Sequence, residues 1–440
     1  MNNLHLSSLV AFLLFFFTPL MSDQTLEVAL ATETLASPLA IVQSESLTPS
    51  ARAFAAVLQN DLRLSGWFQL VQADLKLNEI PQDQPFMHPK LHRTSSMHYL
   101  VTVDEELAQL EIHVYDLQKR HLIRLKPHSS EPWNQDVRKA AHLLSNQIVK
   151  ALTGHIGIAH CKILYAVTSA KSASAPSEVW MSDYDGYGAK RVFQSSALIV
   201  SPAFIPGHGL NEFSYVSYKL GQPKMMWAKI GEGSQRISAL GGSQLTPCFD
   251  TRALQIAFVS DSMGNPDIFL MRLDPATGKA KSTQKVFGTS KGTQASPSFS
   301  PDGSQLALVS SKDGSPRVYL IRIEDFLRGE GVEKAKLISK KNRESTAPAW
   351  SPDGRFIAYC ARNQGPRQIW VYDCQSQQET CLTQGDGIKE NPAWAPDSLH
   401  LYFDQEDAGG TSIFLIDLNL QKPQRVGQGG RIQRFPSCSK

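Results

Sequence analysis

A chain of 440 residues with 44 Lys+Arg against 41 Asp+Glu carries a formal charge of only +3, and no block of like charge stands out. That length allows two or three domains, each with its own core, while the balanced charge asks for neither nucleic acid nor an acidic surface as partner. Six cysteines with no CxxC pair exclude a zinc ribbon and a cysteine-stapled mini-domain.

The chain begins with an almost wholly apolar run, Leu6 to Leu20 (LSSLVAFLLFFFTPL), followed by polar MSDQT. The run suits a secretory h-region and is shorter than the ~20 residues of a spanning helix. The expectation is a signal peptide over residues 1–22, cut near Ser22, and export without direct membrane insertion. No Lys or Arg precedes the run, and an uncleaved anchor is the alternative.

From Ser37 the pattern is mixed. SPLAIV, Ser37 to Val42, reads as a strand. Phe54, Val57, Leu58 and Leu62 then recur at helical spacing on one apolar face, and Gly66 follows its end. Strands are predicted at Tyr99 to Val103, Leu110 to Tyr115 and His121 to Leu125, with Lys76 to Lys90 as a loop before them. A second amphipathic helix is predicted from about Pro132 to Leu152, with Trp133, Val137, Ala141, Leu144, Ile148 and Leu152 inward and Gly154 as its stop. These elements make a small α/β domain over residues 23–157.

Beyond residue 157 a period takes over. A proline followed one residue later by an aromatic, or a smaller substitute, recurs at Pro202, Pro247, Pro297, Pro348, Pro392 and Pro436, with gaps of 45, 50, 51, 44 and 44 residues. Spacing of that length marks propeller blades. Where the motif is fullest, as in PAWSPDGRFIAYC, the Pro-Asp-Gly order suits a tight reversal between two strands. Third strands recur as well, among them EVWMSDY from Glu178 and QIWVYDC from Gln368. Six blades over residues 158–440 are expected. Blade one begins at KILYAV (Lys162 to Val167) without a proline strand of its own. FPSCS, Phe435 to Ser439, is the orphan that should supply it, closing the ring and leaving no free edge. The fold class is therefore an α/β N-terminal domain followed by an all-β six-bladed propeller closed by the C-terminal strand. Small residues beside the prolines, Ala203, Ser298, Ala349, Ala393 and Ser437, fit crowding round the axis.

Catalytic chemistry is thin. GTSKG, Gly288 to Gly292, matches G-x-S-x-G but stands in a linker, where the nucleophile elbow needs a strand before it and a helix after. His88 and His92 stand four apart, with Pro89 between them opposing a helix. SDYDGYG, Ser182 to Gly188, has the start of a calcium loop without its later carboxylates, and reads as a turn. Trp180, Trp227, Trp370 and Phe414 recur at blade positions as core. No catalytic residue, cofactor or metal ligand is assigned. Cys374 and Cys381 are the one close cysteine pair, bridged or free.

Together, an export signal, a small α/β domain with SPLAIV, DLRLSGWF and AHLLSNQIVKALTG, and a propeller with VWMSDYDGYGAKRV and repeated SPDG turns resemble the TolB family, the periplasmic propellers of the Tol-Pal system. The resemblance covers nearly the whole chain after the leader. It implies a monomeric, non-enzymatic adaptor whose mouth grips the lipoprotein Pal and whose N-terminal region communicates with TolA, maintaining the outer membrane during cell division. The strand expected to start the mature chain is the divergent QTLEVALATET. A propeller that gates a peptidase and a small-ligand-binding propeller are the competing readings. If Pal docks on the face where loops lead into the proline strands, the candidate residues are Gln294, Ala295, Ser345, Thr346, Lys389, Glu390, Gln433 and Arg434, expected on exposed loops.

Overall fold

The computed structural model describes residues 36–80, 86, 97–127, 132–168, 176–274, 279–362, 364–419, 422–427 and 431–439. The leader, its cut, His88 and His92 lie outside the described residues.

The N-terminal domain is a five-stranded sheet in the order β2-β1-β3-β4-β5. Its strands are β1 (Ser37–Gln43), β2 (Phe68–Leu70), β3 (Tyr99–Glu106), β4 (Gln109–Asp116) and β5 (His121–Leu125). Helices α1 (Pro49–Leu64) and α2 (Val137–Thr153) cover one face. Thr48 caps α1, its hydroxyl accepting from the Ala51 amide at 3.3 Å, and Pro49 suits the first turn, where a missing N–H costs nothing. The predicted stripe buries Phe54, Leu58 and Leu62, with Val57 half-buried at its margin. The second helix starts five residues later than its apolar spacing predicts. The Asp136 carboxylate accepts from the Lys139 amide at 3.0 Å and fixes the N-terminus there. Trp133 still packs, edge-on to Phe54 with ring centroids 6.0 Å apart, but from a turn. The three-residue edge strand β2 has no counterpart in the sequence reading, being too short to show alternation.

Six four-stranded antiparallel sheets follow. In blade 1 the closing strand Ile432–Cys438 pairs with β6 (Lys162–Thr168), which is followed by β7 (Ser177–Asp183) and β8 (Lys190–Ser195). The ring is thus shut by the last strand, as the orphan motif predicts. Its far end is pinned by the Ser439 amide on the Lys162 carbonyl (2.9 Å) and the Lys162 amide on Ser439 Oγ (2.8 Å). Blade 4 holds an insertion that the period shows only as a long gap. A short helix α3 (Ile323–Leu327) follows the third strand, and its buried Asp325 clamps Arg322 at 2.8 Å and Lys334 at 3.2 Å. GTSKG is a linker between strands, as expected.

Each inner strand hides one feature that the sequence does not advertise. The residue before the proline is left-handed in all six: Ser201, Thr246, Ser296, Ala347, Asn391 and Phe435, with φ between 46° and 58°. None is glycine, although such a conformation costs a non-glycine residue on the order of 1 kcal/mol. At each site the pairing with the second strand shifts register, which makes a β-bulge that carries the strand through the proline.

None of the six cysteines is bridged in this structure. Cys381 pairs opposite Trp370, well along the partner strand from Cys374, so this hairpin offsets the two sulfurs. Among the described residues no helix is long and apolar enough to cross a membrane.

Candidate functional site: the propeller mouth

The antiparallel order of each blade puts the loop leading into the inner strand and the loop between second and third strands at one end, the mouth. The reversals between first and second and between third and fourth strands lie at the other, the turn face.

At the mouth, the eight residues predicted on loops are strand residues. The bulge is the reason: pairing continues upstream of the proline instead of starting at it. Gln294, Ser345, Lys389 and Gln433 are buried, whereas Ala295, Thr346, Glu390 and Arg434 are half-buried along the channel. Buried members hold the mouth's own loops. Lys389 donates to the carbonyls of Gly385, Asp386 and Gly387 at 3.2, 2.8 and 3.2 Å, and Gln294 donates to Thr289 Oγ1 at 2.9 Å. Burial lowers the Lys389 ammonium from its ordinary range. It clamps the loop from a buried strand position, which corrects the expectation of an exposed loop residue.

The half-buried ring two residues before the prolines is uneven: Val200, Leu245, Ala295 and Thr346 on one side, Glu390 and Arg434 on the other. On the charged side Arg367 bonds Glu390 at 2.5 Å, Arg434 reaches Glu390 at 3.4 Å, and Arg434 also pairs with Glu406. Beneath them Asp404 is buried and accepts from Asn391 Nδ2 (2.8 Å) and the Phe435 amide (3.1 Å). Burial pushes its carboxyl up to about 7, against those two hydrogen bonds and Arg434. The small residues beside the prolines do more than spare room: Ser298 accepts from the Trp350 amide of the next blade at 3.1 Å, and Ser437 from the Phe204 amide at 3.3 Å.

The turn face of blades 6 and 1 receives the N-terminal domain. The Leu64 carbonyl at the end of α1 accepts from His400 Nε2 (2.8 Å), while His400 Nδ1 pairs with Asp397 (2.6 Å). The Gly66 carbonyl accepts from Asn419 (2.9 Å). Gly66 has φ of 71°, and a Cβ there would stand 3.0 Å from the Asp417 carboxyl carbon and 3.1 Å from Leu399. Gly66→Ala is therefore expected to destabilise the full chain by roughly 1–3 kcal/mol, read as a lower urea midpoint; an unchanged midpoint would show that the domains do not press together here.

A second cluster joins Asp61 of α1, Arg138, His142 and Ser145 of α2, and Asp183, Tyr184 and Asp185 of blade 1. Asp61 is 3% exposed and accepts from His142 Nδ1 (2.7 Å), Ser145 (2.9 Å) and Tyr184 (2.8 Å). Arg138 bonds Asp183 (3.1 Å) and Asp185 (2.8 Å), and Lys162 also bonds Asp183. Burial works against a charged His142, but the flanking Asp183 and Asp61 carboxylates prevail and push it up to about 9. For His400 burial again opposes the charge, and Asp397 with the Leu64 carbonyl lifts it to about 9. Asp183 is held well below the usual carboxylate range: burial opposes this, and His142, Lys162 and Arg138 outweigh it. These residues went unnoticed in the sequence, where SDYDGYG stood out only as a turn. Its Asp183 and Asp185 carboxylates are engaged by cations of the protein itself, not arranged round an ion.

A cavity of about 890 Å³ lies elsewhere, on the N-terminal sheet, lined by Thr102, Asp104, Glu111, His113 and Arg124 among others.

Residues 149–326 and 328–440 match the family described as the TolB beta propeller domain. Among curated proteins the chain is similar to "Protein TolB homolog" of Protochlamydia amoebophila, 45% identical over 261 residues, or 58% of this chain and 56% of that one. It is also similar to the Chlamydia felis protein of the same name, 36% identical over 249 residues, 56% of this chain and 57% of that one. These matches span a little over half the length of either relative. Among solved structures, TolB from Acinetobacter baumannii superposes with a TM-score of 0.73 at 21% identity, covering 92% of this chain and 97% of that one. At that identity the likeness speaks for the fold.

Proposed function

The chain belongs to the TolB beta-propeller family, and from that membership we propose that it is a non-enzymatic periplasmic adaptor of a Tol-Pal system. In this reading residues 1–22 direct export and are removed, the propeller over residues 158–440 grips the lipoprotein Pal at its mouth, and the domain over residues 23–157 communicates with TolA. The outcome is outer-membrane integrity while the envelope constricts in division.

The observation that supports the reading is the division of faces. Every inter-domain bond described above falls on the turn face of blades 6 and 1, which leaves the mouth to a partner from outside. A rigid ring can present many loops round one concavity without any reactive group. Its uneven wall fits a partner tip with an apolar side and a charged side, the charges serving orientation and on-rate.

Calorimetry with purified Pal tests this. Thr346→Trp adds bulk where the inner strand is half-buried along the channel, and is expected to weaken Pal at least tenfold while the circular dichroism spectrum holds. Asp302→Ala on the turn face should leave affinity within about twofold. Equal affinity for Thr346→Trp together with loss of binding in Asp302→Ala would move the docking site to the other face.

A further inference from the structure

We propose that Cys161 and Cys438 form a disulfide that fastens the propeller ring shut.

The argument starts from topology. Cys161 stands immediately before β6, and Cys438 is the last residue of the closing strand that pairs with it. Cys438 lies opposite Ile163 in the antiparallel register. Alternation then places residues 161, 163 and 438 on one face of the pair, with the two cysteines as diagonal neighbours. Both pack into one core cluster with Ile163, Ala395, Tyr402 and Val426, and the Cys438 thiol donates to the Ser439 carbonyl at 3.6 Å. Diagonal neighbours stand about 7–8 Å apart at Cα, about 1–2 Å wider than the ~5.5–6 Å a disulfide prefers, so the bond draws the two backbones together. The approach has to be made beside the Ser439–Lys162 hydrogen bonds, which already hold the ends of the two strands together.

The segment between Cys161 and Cys438 is nearly the whole propeller, and the constraint a disulfide puts on the unfolded chain grows with the loop it closes. A noncovalent seam between the closing strand and β6 can open locally; a bond at this position forbids that.

Timing follows from burial. In the closed ring the dry surroundings, and then the neighbouring thiol, raise Cys438 well above the ordinary thiol range, so the folded thiol is protonated and inert. Oxidation belongs to the interval when the closing strand is unpaired and its sulfur meets water. The Cys438 thiolate attacks a small-molecule disulfide such as oxidised glutathione, forming a mixed disulfide and expelling one glutathione thiolate. The Cys161 thiolate then attacks the Cys438 sulfur of that mixed disulfide and expels the second. The protein gives up two electrons and two protons, and oxidised glutathione becomes two molecules of glutathione. In the cell the step rests on the export reading, because such bonds persist in oxidising compartments.

The test uses the purified full chain. It is refolded in glutathione buffers from fully reduced to mostly oxidised, quenched in acid, denatured, and labelled with a mass-tagged maleimide. Expected is a fall from six labelled thiols to four, with a non-reducing peptide map showing a species that joins residues 161 and 438. The thermal midpoint should rise by about 5 °C or more in the oxidised form and fall back with reductant. Cys438→Ser should keep its remaining thiols reduced and lose the reductant dependence, and Cys374→Ser should behave as the parent. Six reactive thiols at every glutathione ratio in folded protein, or a bridge joining other cysteines, overturns the proposal. The wild-type thiol count decides this even if a variant fails to fold. Blocking thiols in intact cells before extraction separates the two readings: a bond made in vitro and absent in cells counts against export and leaves the site standing.

Discussion

Deleting residues 435–440 should cost the protein most of its stability. The cut removes the Ser439–Lys162 bonds, the Ser437 contact to the Phe204 amide and the Phe435 amide that donates to Asp404. Each lost hydrogen bond is worth about 1 kcal/mol, and the Asp404 carboxyl, already destabilised by burial, loses a donor in a dry site. The first half of β6, through Leu164, loses its partner and becomes an unpaired edge, a template for other chains. The loss is on the order of 5 kcal/mol, comparable to the whole stability of many domains. A melting curve should show a fall of ten degrees or more, or no cooperative transition, and gel filtration should show association. A truncated protein that melts as the parent and stays monomeric would mean that β6 does not need its closing partner.

The ring was readable because its information is local and repeated. Pro348, Asp353 and Gly354 each carry a backbone preference, and the same order returns at blade spacing. The mouth was readable only in part. Ordinary reasoning ends a strand near proline because it lacks an N–H, so Thr346 and Lys389 looked like loop residues. The left-handed Ala347 and Asn391 let pairing continue past that point, and neither residue type announces such a conformation. Lys389 shows a further limit: a lysine near a rim reads as a free charge unless the carbonyls of Gly385, Asp386 and Gly387 are known to converge on it. The inter-domain cluster was least visible. Asp61 lies one residue before Leu62 on α1 and reads as a solvated helix position, while Asp183 reads as a strand end. Only the tertiary fold brings the two to either side of His142.

That cluster should make the union of the two domains weaken in alkali. His142 and His400 are each raised to about 9, against about 6.5 for an unfolded histidine. A raised folded value means that their contribution is complete below about pH 6.5 and is lost as pH climbs through about 9. Each shift corresponds to at most roughly 3 kcal/mol. Below pH 4 the sign reverses, because Asp183 is depressed and its contribution is lost as it takes up a proton. Charge counting gives the reason for the alkaline loss. Asp61, Asp183 and Asp185 face Arg138, Lys162 and a protonated His142, so removing the imidazolium proton leaves a buried excess of negative charge. Calorimetric scans from pH 6 to 10 should therefore show one transition splitting into two as the N-terminal domain comes free of blades 6 and 1, with Tyr184 still protonated because its phenol is raised well above its ordinary range. His142→Gln with His400→Gln should flatten that pH dependence while lowering stability at pH 7. A parent protein whose transition is as high and as single at pH 9.5 as at pH 6.5 would place the histidines' charge outside the energetics of docking.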